Sequence, residues 1–170
     1  MLFTDLLEEQ KFCSQINDEQ KRNRAVANLL GIKIALDFFK NSGLPATTDS
    51  AAHKIKILLQ DLDIADIYIG DIRLDVRLSL SQDEYLIPKK HYENNITPDL
   101  YMLVFYDNST GEAKLTGFIS PDDVNKTIQD EYYYIISKKE ITPFEQTDKL
   151  FDSLQTKART NLPLNVKKKI

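Results

Sequence analysis

Ile64-Ala65-Asp66-Ile67-Tyr68-Ile69-Gly70-Asp71-Ile72-Arg73-Leu74-Asp75-Val76-Arg77-Leu78-Ser79-Leu80 is the stretch that decides the fold class. From Ile64 the apolar residues recur with a period of two. Gly70-Asp71 has the composition of a two-residue hairpin turn, which sets the register of the strands on either side. That register puts Ile69 opposite Ile72, and hence Asp66 opposite Asp75 with their Cβ atoms about 5 Å apart. On the second arm Ile72, Leu74, Val76, Leu78 and Leu80 alternate with Arg73, Asp75, Arg77 and Ser79. A sheet with one apolar and one wet face reads this way, and the apolar face is expected to meet a helix.

Toward the N-terminus the period changes to that of helices. Thr4 can cap a short helix with Leu6, Leu7, Phe12 and Ile16 on one side. Asp18 can cap the next, in which Val26, Leu30, Ile34 and Phe38 recur every four residues, Leu29 and Leu36 widen the stripe and Gly43 ends it. Residues 44–50 are turn-formers, and 51–61 form either a short helix presenting Ile55, Leu58 and Leu59 or a strand.

Toward the C-terminus, Tyr85 to Ile87 reads as a short strand closed by Pro88, and 89–98 as an exposed loop. Leu100 to Tyr106 (LYMLVFY) is almost wholly apolar, as in a central strand covered on both faces, and is expected to be the most buried segment. Asp107 to Gly111 is a turn, after which Ala113 to Ile119 returns with Leu115, Gly117 and Ile119 on one face. Ser120-Pro121-Asp122-Asp123 starts a short helix, and Tyr132 to Ile136 adds a strand. Thr142-Pro143-Phe144-Glu145 has the spacing of a capping box and opens a helix presenting Leu150, Phe151 and Leu154. The order of segments predicts an α+β fold. A mostly antiparallel sheet of about five to six strands is packed by a long helix in the N-terminal half and by a C-terminal helix. Residues 1–160 are expected to form one domain and 161–170 a loose tail.

Composition agrees with one core. The chain has 170 residues, 42% hydrophobic and 28% charged, which suits a single globular domain. A net charge of -4 offers no basic field for a nucleic-acid backbone. One cysteine, Cys13, cannot form an internal disulfide, as is usual in a reducing compartment. Met1 to Gln10 lacks the basic start of a secretory signal, and no stretch is long and apolar enough to span a membrane. The expectation is a cytoplasmic protein.

Two carboxylate patterns invite a metal. Pro98-Asp99 followed by Glu112-Ala113-Lys114 spells the signature of metal-dependent nucleases related to restriction endonucleases. If residues 107–112 turn tightly, however, Asp99 lies about seven residues, or roughly 23 Å, from Glu112, too far for two ligands of one ion. Asp66 and Asp75 are better placed, and their mutual repulsion calls for a cation, either a metal or the neighbouring Arg73 and Arg77. Asp75-Val76-Arg77 also reads as a degenerate nuclease triplet with arginine for lysine, although an arginine that stays charged cannot exchange a proton.

His53 and His91 have no second ligand at zinc spacing and are expected on the surface. Cys13 has no local activating motif for a nucleophile. Lys89-Lys90-His91-Tyr92 is a basic and aromatic cluster expected in a solvated loop, and Gly31, Gly70, Gly111 and Gly117 form no phosphate-cradling run. Three successive tyrosines, Tyr132, Tyr133 and Tyr134, must place at least one ring on the outer face of their strand, where it can anchor a partner unless the C-terminal helix covers it.

The order of parts resembles an uncharacterised family typical of cyanobacteria and their relatives, the domain of unknown function numbered eighteen twenty-two. The likeness lies in the helix Ala25 to Phe39, in Asp49-Ser50, in Asp63 to Ile69 and in Ile87-Pro88. Glu112 to Phe118 completes it, covering about Arg22 to Asp123 in all. The absence of tryptophan departs from typical members. The resemblance implies no reaction, cofactor or catalytic residue.

The reading that follows is a binding or protein-interaction module without chemistry of its own and without a cofactor. The runner-up is a metal-dependent nuclease-like enzyme, active or degenerate, with Asp66 and Asp75 holding a divalent metal and Arg77 or Lys89 in support. A third reading is an obligate dimer or complex subunit that uses the tyrosine strand.

Overall fold

The computed structural model describes Ser14, Asn17 and residues 19–48, 65–107 and 109–144. The sequence-predicted helices at Thr4 to Ile16, 51–61 and beyond Glu145, the C-terminal tail, Cys13 and His53 lie outside the described residues.

Helix α1 runs Glu19–Asn41. It ends as predicted at Gly43, whose φ of 74° suits a residue without Cβ. The Gly43 N–H donates to the Lys40 carbonyl and the Leu44 N–H to the Phe39 carbonyl, a Schellman cap. The buried stripe comprises Leu29, Ile32, Ala35, Leu36 and Phe39, while Val26 is 44% exposed and Leu30, Ile34 and Phe38 are half-buried. The expected four-residue row therefore flanks the buried face instead of forming its centre. Four residues advance a helix by about 40° beyond a full turn, so a strict four-residue row winds around the axis, whereas alternating steps of three and four stay on one side.

Among the described residues eight strands follow: β1 (Ala46–Thr47), β2 (Ile67–Ile69), β3 (Ile72–Ser79), β4 (Glu84–Pro88), β5 (Leu100–Asp107), β6 (Glu112–Ile119), β7 (Tyr133–Ser137) and β8 (Thr142–Pro143). Between β4 and β5 lies a short helix, α2 (Lys89–Glu93). A 3₁₀ turn at Pro121–Asp123 is capped by the Ser120 hydroxyl, as its sequence predicts. Six strands form one sheet in the order β1-β2-β3-β5-β6-β8, and β4 and β7 form a second.

The Gly70-Asp71 hairpin has the predicted register, with Ile69 opposite Ile72 and Ile67 opposite Leu74. The β5–β6 hairpin likewise places Tyr106 opposite Ala113. The large sheet is mixed, because its two central strands, β3 and β5, run parallel. Parallel neighbours need a crossover, and the chain makes it through β4 and α2, which carry it back over one face of the sheet.

That crossover overturns the wet face. Leu74 and Val76 join Met102, Val104, Leu115 and Phe118 beneath α1. On the other face Tyr101, Leu103 and Ile119 pack against Tyr85, Ile87 and Ile136 of the second sheet. Asp75, read as solvated, is 1% exposed because β4 and α2 lie above it. Of the segment Leu100 to Tyr106 expected to be covered on both faces, Leu100 to Val104 is buried throughout, while Phe105 and Tyr106 are half-buried.

One register shift in β6 corrects another expectation. Leu103 faces Gly117 while Val104 faces Leu115, which leaves Thr116 as an extra residue in a bulge. The extra residue reverses the alternation, so Leu115 and Phe118 enter the core under α1 and Ile119 enters the other. Leu115 and Ile119 thus lie on opposite faces.

Candidate functional site

Asp75 and Arg77 stand two residues apart on β3 and so share a face, where Tyr101 of β5 is the neighbour of Asp75. Above them α2 lowers His91 into the interior. The segment read as a solvated loop is helical from Lys89, and His91 is fully buried while Lys90 is exposed. Pro88 precedes the helix with an extended backbone and lets the chain turn from β4 directly into it.

These side chains form a continuous polar chain. Arg77 Nε donates to Asp75 Oδ2 over 2.5 Å, with side chains only 13% and 2% exposed. Arg77 Nη2 lies 3.2 Å from His91 Nε2, and His91 Nδ1 lies 3.0 Å from Tyr101 Oη. Tyr92, the next residue of α2, donates its hydroxyl to the Pro121 carbonyl over 2.9 Å.

The chemistry of the partners fixes the direction of this chain. A guanidinium only donates, so His91 Nε2 must accept and the ring proton sits on Nδ1, pointing at Tyr101 Oη. The histidine is held neutral in one tautomer, stacked against Tyr101 with ring centroids 5.9 Å apart. Burial alone would lower the Arg77 pKa, but the Asp75 and then the Asp66 carboxylate outweigh it and hold the group above its ordinary value. Burial pushes the Tyr101 phenol well above its ordinary pKa, helped by Tyr92, and likewise raises that of Tyr92.

Asp66 takes a different place from the one its sequence position suggests. The strand pairing stops at Ile67 and Leu74, and the Asp66 N–H donates to the Leu74 carbonyl. Its Oδ2 accepts from the Val76 N–H at 2.7 Å, so the carboxylate replaces the backbone of a strand that has ended. Asp99 does the same at the start of β5, accepting from the Arg73 N–H at 2.8 Å. Arg73 donates to Asp99 and to the Thr97 carbonyl, while Arg77 balances Asp75 within β3. Arg77 thus pairs with Asp75 along β3, and the Asp66 carboxylate acts on it from across the hairpin.

The structure brings Asp66, Asp75 and Arg77 into one electrostatic cluster. Lys89 is engaged elsewhere, donating to the Asp130 carbonyl, with its ammonium 5.9 Å from the Tyr134 ring centre. Asp99 and Glu112 stand at opposite ends of the β5–β6 hairpin. Among the described residues no group of three or more His, Cys, Asp or Glu could hold a metal ion. Alternation along β7 puts Tyr134 on the side of the buried Ile136, while Tyr132 lies just before the strand. Tyr134 packs inward, edge-on to Tyr92 at 5.3 Å, Tyr133 is half-buried, and Tyr132 is 59% exposed.

Sequence reasoning missed His91, Tyr92 and Tyr101 as one system. The signal was the hydroxyl of Tyr101 inside an otherwise apolar central strand, since a buried phenol needs a hydrogen-bond partner and few candidates exist nearby in the chain.

Among the described residues no helix is long and apolar enough to cross a membrane. No curated protein and no solved structure matches the chain. The match to a family model extends beyond the resemblance read from Arg22 to Asp123 and takes in residues 7–166: the chain belongs to the family described as Protein of unknown function (DUF1822).

Proposed function

We propose that this protein is a cytoplasmic, non-enzymatic interaction module that docks a protein partner on the outer face of the β4–β7 sheet. One observation carries the reading. Leu86 pairs with Ile135, and the bridge between Gln129 and Tyr134 brings Ile128 opposite Ile135 on the other side. Tyr85, Ile87 and Ile136 point into the core, so Leu86, Ile135 and Ile128 form a cross-strand apolar row facing out. Leu86 is 46% and Ile128 51% exposed, and Tyr132 stands at the adjoining turn. A contiguous apolar row beside an exposed tyrosine is the composition of a binding hot spot.

The buried polar chain supports the same reading from the other side. Asp75 and His91 are closed off from solvent, and the Asp66 carboxylate caps a backbone N–H, so these groups serve the fold. The test is photo-crosslinking in the native host from a reactive side chain at position 132, repeated with Leu86→Asp and Ile128→Asp together. A defined protein adduct that the double variant loses, with the unfolding midpoint unchanged, is expected. An adduct that survives the double variant, or specific substrate turnover by the purified protein, would overturn the reading.

A further inference from the structure

Strands β5 and β6 each run eight residues, whereas β4 and β7 above them run five, so the small sheet cannot cover the full length of the face beneath. Its end at Glu84 and Ser137 leaves an open groove of about 190 Å³. Phe105 is half-buried there, with Ile141 and Pro143 lining the groove beside it. Lys114, the cross-strand neighbour of Phe105, and Lys138, which follows β7, line the same groove and are exposed. Neither ammonium has an ion-pair partner among the described residues. The bulge residue Thr116 is also in the lining. The Tyr85 hydroxyl is buried beside the Thr116 side chain.

We infer that this groove binds a small organic anion, a carboxylate carried on a flat apolar body, with the body on Phe105 and the charge between Lys114 and Lys138. Two exposed cations lining the same groove as an aromatic ring select a ligand that is charged at one end and apolar at the other. The volume lies below the roughly 300 Å³ at which sites for drug-sized ligands begin, which suits a small ligand.

The full chain titrated with benzoate and, separately, with neutral benzamide tests this, followed by two-dimensional NMR. Benzoate is expected to shift the Thr116 and Lys138 amide signals and to bind at least about tenfold more tightly than benzamide. Lys114→Gln with Lys138→Gln should abolish that preference, and Phe105→Leu should weaken both ligands. Leu86→Asp, which alters the docking face, is expected to leave benzoate binding unchanged and so separates this inference from the proposed function. Equal binding of the two ligands, unchanged binding by the lysine double variant, or no shift up to about 10 mM would overturn the inference.

Discussion

His91 links two buried groups, with one ring nitrogen at Arg77 and the other at Tyr101. Removing it takes one hydrogen-bond partner from a buried arginine and one from a buried tyrosine hydroxyl. His91→Leu is therefore expected to lower stability by about 2–4 kcal/mol in denaturant unfolding. His91→Gln should recover part of the loss, because its amide can accept from Arg77 and donate to Tyr101. Equal losses in the two variants would mean that the ring's packing matters and its hydrogen bonds do not. Gly117 is constrained by space instead of polarity. A Cβ there would run into the Thr142 carbonyl oxygen and crowd Ile141. Gly117→Ala is expected to cost about 1–3 kcal/mol by forcing β8 off β6, visible as faster hydrogen exchange of the Phe118 amide.

Between elements, the helix packs through a face that its own sequence only approximates. Phe39 is fully buried on that face, and Phe39→Ala should cost about 3–5 kcal/mol. Val26 heads the four-residue row that stands out most in the sequence, yet Val26→Ala should change stability by no more than about 0.5 kcal/mol. Gly31 lies where α1 comes nearest to β3, since a Cβ there would sit 3.2 Å from Val76. Similar losses at positions 26 and 39 in urea unfolding would show that the helix is rotated from the packing described. The bulge at Thr116 has a comparable effect on β6. It lets one strand supply both Leu115 and Phe118 to the core under α1, and it leaves Thr116 in the lining of the open groove.

Across the entire fold the buried phenols set the response to alkali. Burial raises the pKa of Tyr101 and Tyr92 in the folded state above the ordinary value near 10 that they have when unfolded. Their contribution is therefore fully present below pH 10 and is lost as the pH climbs from there toward the folded values. Each phenol adds a slope of about 1.4 kcal/mol per pH unit in that window. Unfolding free energies measured from pH 9 to pH 11 should fall accordingly, and Tyr101→Phe should reduce the slope by one phenol's share. An unchanged slope in that variant would place the alkaline sensitivity elsewhere.

Local physics was legible in the chain before any fold was known. Period-two alternation, the Gly70-Asp71 turn and the Asp107 to Gly111 turn determined two hairpins and the register next to each turn. Gly43 determined where α1 stops, because only a residue without Cβ takes its backbone angle at no cost. An apolar run from Leu100 determined a central strand. What the tertiary structure alone decided was which polar residues are inside. Alternation separates the two faces of a strand but does not say what lies above either of them, and here β4 and α2 cover the face that carries Asp75 and Arg77. The same folding-over brings His91 within hydrogen-bond reach of Arg77 and Tyr101, which belong to different strands. It also makes β3 and β5 parallel, since the direction of a returning strand depends on the path of the crossover and leaves no mark in either strand's own sequence.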